Sequence, residues 1–377
     1  MTQLLFEWKK ILTYKTNYFG MVVLFLLFIV PVIFFSSDIA QIENIQLRNY
    51  QANLEISKQA EKNMEDVPEA IGQLEKVKES NELMENLVNT YLSDKESEKL
   101  VAEYQYEKIQ LRDLQDGSLV GIPIVEQQKK VSSLEYLIQN DISKVYDNHN
   151  SIPALNYLAQ IFKGKIPAAL ILMICSLLLA NIYSFEKRNN TISFFNILPN
   201  DLNHTAVNKI VTTTLFALIT FVVPVMLTFL FLLVRNGLGN LNYPIVYSPD
   251  GFEVSIMTVL TFIMKSVVLN ILFIIFLSIM SFFISLFTGS VIVNAGILVA
   301  MLLLSESPIL KVEPLNNFAQ FLPFSYVNAD EVLLSGSFWE PISNISITFS
   351  NGLTVLSVYS IILCVASFSI IFSKKKI

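Results

Sequence analysis

Residues 166–234 read IPAALILMICSLLLANIYSFEKRNNTISFFNILPNDLNHTAVNKIVTTTLFALITFVVPVMLTFLFLLV. Two apolar runs, Ile166–Tyr183 and Ile210–Val234, enclose a charged, turn-rich segment from Glu186 to Lys209. Crossing the hydrocarbon core of a bilayer takes roughly 20 apolar residues in a helix, and both runs reach about that length. The stretch therefore predicts two membrane spans joined by a wet loop. A loop pinned between spans is placed to receive force from a soluble partner.

The same pattern recurs outward from this pair, at Tyr18–Phe35, Ser266–Phe287, Val291–Leu304 with its flanks, and Leu353–Phe372. The expected fold is an all-α polytopic membrane protein with six transmembrane helices and a helical domain between the first and second. The Val291–Leu304 run is short and contains Asn294, so a re-entrant segment competes there with a full crossing. Composition agrees: 53% of residues are hydrophobic, 15% are charged, and mean hydropathy is +0.52. Soluble domains carry about 25% charged residues. Cys175 and Cys364 both fall inside expected spans, and no disulfide framework follows from them.

The net charge of −6 is unevenly spread. Residues 38–165 hold 14 Lys and Arg against 22 Asp and Glu, and the remainder is slightly basic. This acidic balance without basic patches argues against a nucleic-acid partner. Short-loop cations set orientation in membrane proteins. Lys9, Lys10 and Lys15 precede the first span, Lys187, Arg188 and Lys209 sit in the second loop, and Lys374, Lys375 and Lys376 end the chain. The opposite side offers Arg235 and Lys311, with Lys265 near a span end where it can snorkel. Both termini are therefore expected to be cytoplasmic in a multi-pass plasma-membrane protein, with 38–165 extracellular. The first span has no small-x-small cleavage site and reads as an uncleaved anchor.

The divisions expected are an interfacial helix over 1–16, the first span over 17–37, an acidic helical domain over 38–165 and the remaining spans over 166–377. The last part includes a cytoplasmic loop at 184–209 and an extracellular re-entrant region at 305–352, rich in proline. Within 38–165, apolar residues recur at helical spacing. Ile71, Leu74, Met84, Val88, Tyr91 and Leu92 mark one stripe; Val131, Leu134, Ile138, Ile142 and Val145 mark another. Breaks at Pro68, Ser93-Asp94, Asp116-Gly117, Gly121–Pro123 and Asn148–Pro153 divide the block into four or so helices. The stripes either bury one another or form a surface that handles substrate or a receptor.

Near the start, Leu4, Leu5, Trp8, Ile11 and Leu12 share one helical face, with Glu7, Lys9, Lys10 and Thr13 on the other. Such a helix lies flat in the membrane interface, in contact with lipid. In the second loop, Thr191–Leu198 predicts a short helix stopped at Pro199-Asn200-Asp201. Phe194, Phe195, Ile197 and Leu198 are too apolar for a solvated linker, so this helix packs either on the membrane surface or in a groove of a partner.

Catalytic and coupling chemistry is missing from the sequence. There is no phosphate loop, no zinc-hydrolase or nucleophile-elbow motif, and His149 and His204 form no metal-ligand pattern. The chain is expected to be no enzyme and to bind no metal or cofactor. Lys265 is the sole ionisable candidate in the spans, which leaves an ion-driven carrier without coupling residues. Asn181, Asn270 and Asn294 read as helix-to-helix glue.

A six-span protein without its own energy source needs an external motor. Three segments resemble permeases of type-2 ABC exporters. Glu7, Lys9, Lys10, Ile11 and Lys15 are similar to the family's E-x-K-K-I…K start. Glu186-Lys187-Arg188-Asn189-Asn190-Thr191, then Leu198-Pro199 and Lys209, resemble its E-x-x-x-G-T…L-P…K loop, with Asn190 where Gly is common. Phe321–Tyr326 followed by Glu331–Gly336 is similar to the region before its last span. The resemblance implies a second permease copy or paralogue and separate ABC ATPase subunits carrying ATP and Mg. It also implies a coupling role for Glu186, Lys187, Arg188 and Thr191 as polar contacts and for Phe194, Phe195, Leu198 and Pro199 as anchor. The cargo expected from a body without buried charge is amphipathic peptide or lipid-like. An extracellular-ligand sensor, an immunity-type protein and an envelope scaffold built on residues 38–165 remain as alternatives.

Overall fold

The computed structural model describes residues 2–34, 36–65, 71–93, 96–147, 150–188, 202–305, 307, 312, 315–334 and 346–375. These form a helical membrane body and a helical domain built between its first two long helices. The elements are α1 (Thr2–Thr13), α2 (Thr16–Phe34), α3 (Ile39–Glu65), α4 (Ile71–Ser93), α5 (Glu96–Gln115), α6 (Ile124–Gln139), α7 (Ala154–Gln160) and α8 (Ala168–Arg188). There follow α9 (Leu202–Asn236), strands β1 (Pro244–Tyr247) and β2 (Ser255–Thr258), α10 (Val259–Phe287), α11 (Val291–Leu304), α12 (Leu315–Ala319), α13 (Ala329–Leu334) and α14 (Phe349–Lys375).

Among the described residues, five helices are long and apolar enough to cross a membrane: Thr16–Phe34, Ala168–Phe185, His204–Asn236, Val259–Phe287 and Phe349–Ser373. The sixth expected span is α11, of 14 residues. At a rise of about 1.5 Å per residue it covers roughly 21 Å, short of a hydrocarbon core of about 30 Å. It starts at Ser290, whose hydroxyl accepts the Val293 N–H, and its last turn ends at Ser305. The long helices begin earlier than hydropathy alone predicts. α9 starts eight residues before Ile210, and α10 seven residues before Ser266. The first turn of α9 is polar, whereas α10 starts on Val259-Leu260-Thr261-Phe262 with Thr258 as its side-chain cap. Lys265 consequently lies in the second turn of α10, half-buried, with its ammonium 5.7 Å from the Phe349 ring centre.

The helices run up and down between two ends. The basic end holds α1, the start of α2, the end of α8, the start of α9, the α10–α11 turn and the end of α14. The other end carries the 39–139 helices, the hairpin and α12 and α13. α8 and α10 form the centre of the body, with 61% and 56% of their apolar windows buried, whereas α14 with 17% lies outermost. Buried in the same core is the stretch Ile152–Phe162, which includes α7. Tyr157 donates from its hydroxyl to the Phe28 carbonyl at 2.6 Å. The free N–H groups of Ala154 and Leu155 donate to the carbonyls of Gly237 and Leu238, which satisfies a helix start that has no side-chain cap. Gly239 makes this approach possible. Its φ is +86, and a Cβ there would stand 2.8 Å from Pro153 Cβ and 2.9 Å from Asn156 Oδ1.

The antiparallel hairpin, with Pro244 opposite Thr258, is a β element that the all-helical expectation lacked. It links the two parts of the molecule. Tyr243, just before β1, receives the Val145 N–H on its hydroxyl at 3.2 Å and donates back to the Val145 carbonyl at 3.4 Å.

Among the described residues, breaks in the 38–165 block fall at 116–123 and before α7, with α6 starting after Pro123 and α7 after Pro153, while Pro68, Asp94, Asn148 and His149 lie outside them. The stripe Val131, Leu134 and Ile142 is buried, as are Met84, Val88 and Tyr91. Ile71 and Leu92 are exposed. The domain core is formed by Met84, Leu87 and Tyr91 of α4 with Ala102 and Tyr106 of α5, and Leu47, Tyr50 and Leu54 of α3 are laid against them. Spacing of three and four residues puts the last three on one face of α3. Charged groups frame this core. Lys144 donates to both Glu103 oxygens at 2.6 and 2.7 Å, and Lys99 pairs with Glu43 at 3.2 Å.

Burial within this frame raises the tyrosine hydroxyls above their ordinary range. Burial and then the nearby Glu103 carboxylate push Tyr50 upward, and burial with Glu107 pushes Tyr106 from 10.0 to about 12. A raised acid keeps its proton in the folded state after the unfolded chain has lost it, so the stabilisation is complete below pH 10.0 and disappears as pH rises through about 12. Alkaline titration of the full chain, followed by tyrosinate absorbance and circular dichroism, should show helix loss in this window. Tyr106→Phe should move the loss to higher pH.

Candidate functional site

The basic end is where sequence places the functional residues, and the described part of it is a set of helix ends tied together from inside. Asn294 of α11 is fully buried. Its amide nitrogen donates to the Ser281 carbonyl at 3.1 Å and to the Ser184 hydroxyl at 3.5 Å, and its amide oxygen accepts from the Ser281 hydroxyl at 3.2 Å. One turn of α10 earlier, the Ser278 hydroxyl bonds Tyr183 of α8 at 2.8 Å and Thr214 of α9 at 2.6 Å. Lys209 of α9 points inward with 9% exposure, donates to the Tyr183 carbonyl at 3.5 Å and has its ammonium 5.9 Å from the centre of that ring. Four helices thus share one polar knot.

Sequence reading identified part of this. Asn294 does join helices, whereas Asn270 donates to the Ser266 carbonyl of its own helix and Asn181 accepts from Arg188 of its own helix. Lys209, counted as a loop cation, is a packed residue because α9 begins at Leu202. Tyr183, Thr214, Ser278 and Ser281 were missed. Their signal is a hydroxyl in each of three neighbouring apolar runs at a similar depth, which single-helix reading does not register.

The expected coupling residues separate into described and undescribed ones. Thr191, Phe194, Phe195, Leu198 and Pro199 lie outside the described residues, together with Asn189 and Asn190 and hence the short helix expected at 191–198. Glu186 stands in the last turn of α8, and its side chain is also outside them. Lys187 is half-buried and braces α8 against the α10–α11 turn. Its ammonium donates to the Leu286 carbonyl at 3.4 Å, in the last turn of α10 where a cation suits the helix dipole. Its stem covers Gly289, where an added Cβ would sit 3.0–3.2 Å from Lys187 carbons. Arg188 is exposed, with its guanidinium on the Phe185 ring at 5.7 Å and one hydrogen bond to Asn181 Oδ1.

The α1 helix is not laid out as its sequence pattern suggests. Ile11 is buried and Leu4 and Trp8 half-buried, with Trp8 edge-on to Phe216 of α9. Glu7, expected on the wet face, is 4% exposed and bridges Lys10 at 2.5 Å. Leu5 and Leu12, expected beside Ile11, are exposed. The helix packs on α9, with Trp8 against Phe216, buries Glu7 and Ile11 and turns a second apolar side outward; Lys9 is exposed. Its final carbonyls are capped from α2, since Asn17 donates to Ile11 and Tyr18 to Leu12. Chemically, the described residues of this end offer no nucleophile–base pair; they join the end of α8 to α9 on either side of residues 189–201.

A double-mutant cycle tests the knot. Tyr183→Phe and Ser278→Ala should each destabilise the body by about 0.5–2 kcal/mol, and the pair by less than their sum, because both remove the same bond. Unfolding of the four proteins in detergent measures the coupling; strict additivity would show no interaction. The chain matches no protein-family model, no curated protein and no solved structure.

Proposed function

We propose that this chain is the membrane-spanning permease subunit of an ATP-driven exporter, moving amphipathic peptide or lipid-like cargo outward. The observation that carries the proposal is the polar knot. It joins the end of α8 and the first turns of α9, which flank residues 189–201, to α10 and α11. A push on that segment by a soluble partner would then reach four helices together rather than bend one.

On this reading the basic end is cytoplasmic, as its lysines and Arg188 require, and the 39–139 helices are extracellular. A separate ABC ATPase binds ATP and Mg and seats the 191–198 helix through Phe194, Phe195 and Leu198. A second permease copy or paralogue completes the path. Among the described residues, the buried polar groups of the body are hydroxyls and amides, with Lys209 and the Lys10-bridged Glu7 as the charged exceptions, which suits a cargo that is itself largely apolar. One observation favours the sensor alternative. A cleft of about 340 Å³ lies in the helical domain between α5, α6 and residues 141–146, edged by Lys99, Glu103, Lys144 and Tyr146.

The test is purification of the tagged chain from its native membrane. A phosphate-loop ATPase should co-purify and hydrolyse ATP, and the Glu186→Ala plus Leu198→Asp variant should lose at least tenfold of that partner at equal expression. Absence of any ATPase from both preparations would refute the exporter reading and turn attention to the helical domain.

A further inference from the structure

We propose that the cleft between α1, the start of α2 and the end of α8 holds the headgroup of one anionic phospholipid. This rests on the membrane-spanning architecture alone, not on the exporter reading. The cleft has a volume of about 480 Å³. Its position is the first argument. The apolar window of α8 ends at Phe185 and that of α2 begins at Thr16, and the cleft is lined by Asn181–Arg188 residues on one side and Lys10–Asn17 residues on the other. It therefore straddles the boundary between hydrocarbon and water.

Its chemistry is divided in the way a phospholipid is. Ile11, Ile182 and the tilted ring pair Tyr14–Phe185, with ring centres 4.6 Å apart, form apolar walls. Arg188, Lys10 and the exposed Thr16 supply donors at the rim. Lys10 is already bridged to Glu7. The Arg188 guanidinium meets a neutral amide and a ring, and among the described residues no carboxylate faces it. One positive charge is thus left for a ligand, and a guanidinium fork matches two phosphate oxygens. A headgroup with a single net negative charge balances it; a zwitterionic headgroup brings a second cation to the same place. Basic pockets between membrane helices bind anionic headgroups by this physics.

Native mass spectrometry of the full chain in detergent, titrated with phosphatidylglycerol, phosphatidylcholine or inorganic phosphate, tests the assignment. The first phosphatidylglycerol should bind roughly five- to tenfold more tightly than phosphatidylcholine. Arg188→Gln should abolish that preference and Arg188→Lys should keep part of it. Thr16→Trp, which fills the cleft from an exposed position and leaves its charges, should weaken phosphatidylglycerol binding to a similar extent. Equal binding of both lipids, or an unchanged preference in folded Arg188→Gln or Thr16→Trp protein, would overturn the proposal. Displacement of phosphatidylglycerol by inorganic phosphate would assign the cleft to a soluble anion and overturn it equally.

Discussion

Asn294 is an amide in the middle of the most apolar part of the chain, and the arrangement of the basic end follows from keeping it paired. In hydrocarbon a lone amide costs several kcal/mol, so α11 must stay where Ser281 and Ser184 can reach it. That fixes α11 on α10 and α8. The neighbouring Tyr183–Ser278–Thr214 chain fixes α9 on the same pair. Lys209 adds a charge whose stem is buried and whose ammonium has the Tyr183 carbonyl and ring. Apolar packing in lipid holds helices together only weakly and without register. Here hydroxyls and one amide supply the register, and they do so at the helix ends that bracket residues 189–201.

This constraint also explains how a helix of 14 residues persists among longer ones. α11 is too short to anchor itself by spanning, yet its buried Asn294, its Ser290 cap and the Lys187 brace over Gly289 hold both its start and the preceding turn. At the opposite end the body is closed differently. α7 is inserted into the core with its first N–H groups on the Gly237 and Leu238 carbonyls, and the hairpin ties the helical domain to the body through Tyr243. The helical domain is thus joined to the membrane body by the bonds of the Tyr243 hydroxyl to the Val145 backbone as well as by the chain itself.

Much of this was legible in sequence, and the losses have identifiable causes. Five long apolar runs and the breaks at Pro123 and Pro153 are read directly, because bilayer thickness and proline geometry act on local sequence. The hairpin was not read, although Ser248-Pro249-Asp250-Gly251 is a turn signal between the β-branched pair Ile245-Val246 and the alternating β-branched Val254, Ile256 and Thr258; a strand of four residues is too short for periodicity to announce. The polar start of α9 was lost because hydropathy marks the bilayer and not the helix, and the start of α10 was lost because Lys265 interrupts its apolar run. Glu7 was placed in water since a carboxylate usually belongs there; its burial depends on Lys10 and on α9 packing, which no single helical wheel contains. Likewise Asn181, Asn270 and Asn294 look alike in sequence, and only the last meets another helix.

The central claim is that the four helix ends respond as one unit. Hydrogen–deuterium exchange of the full chain, wild type against Asn294→Ala, measures this directly. Loss of the amide should raise exchange together in the last turns of α8 and α10 and the first turns of α9 and α11. A rise confined to α11, with the other three helices at wild-type protection, would contradict the account.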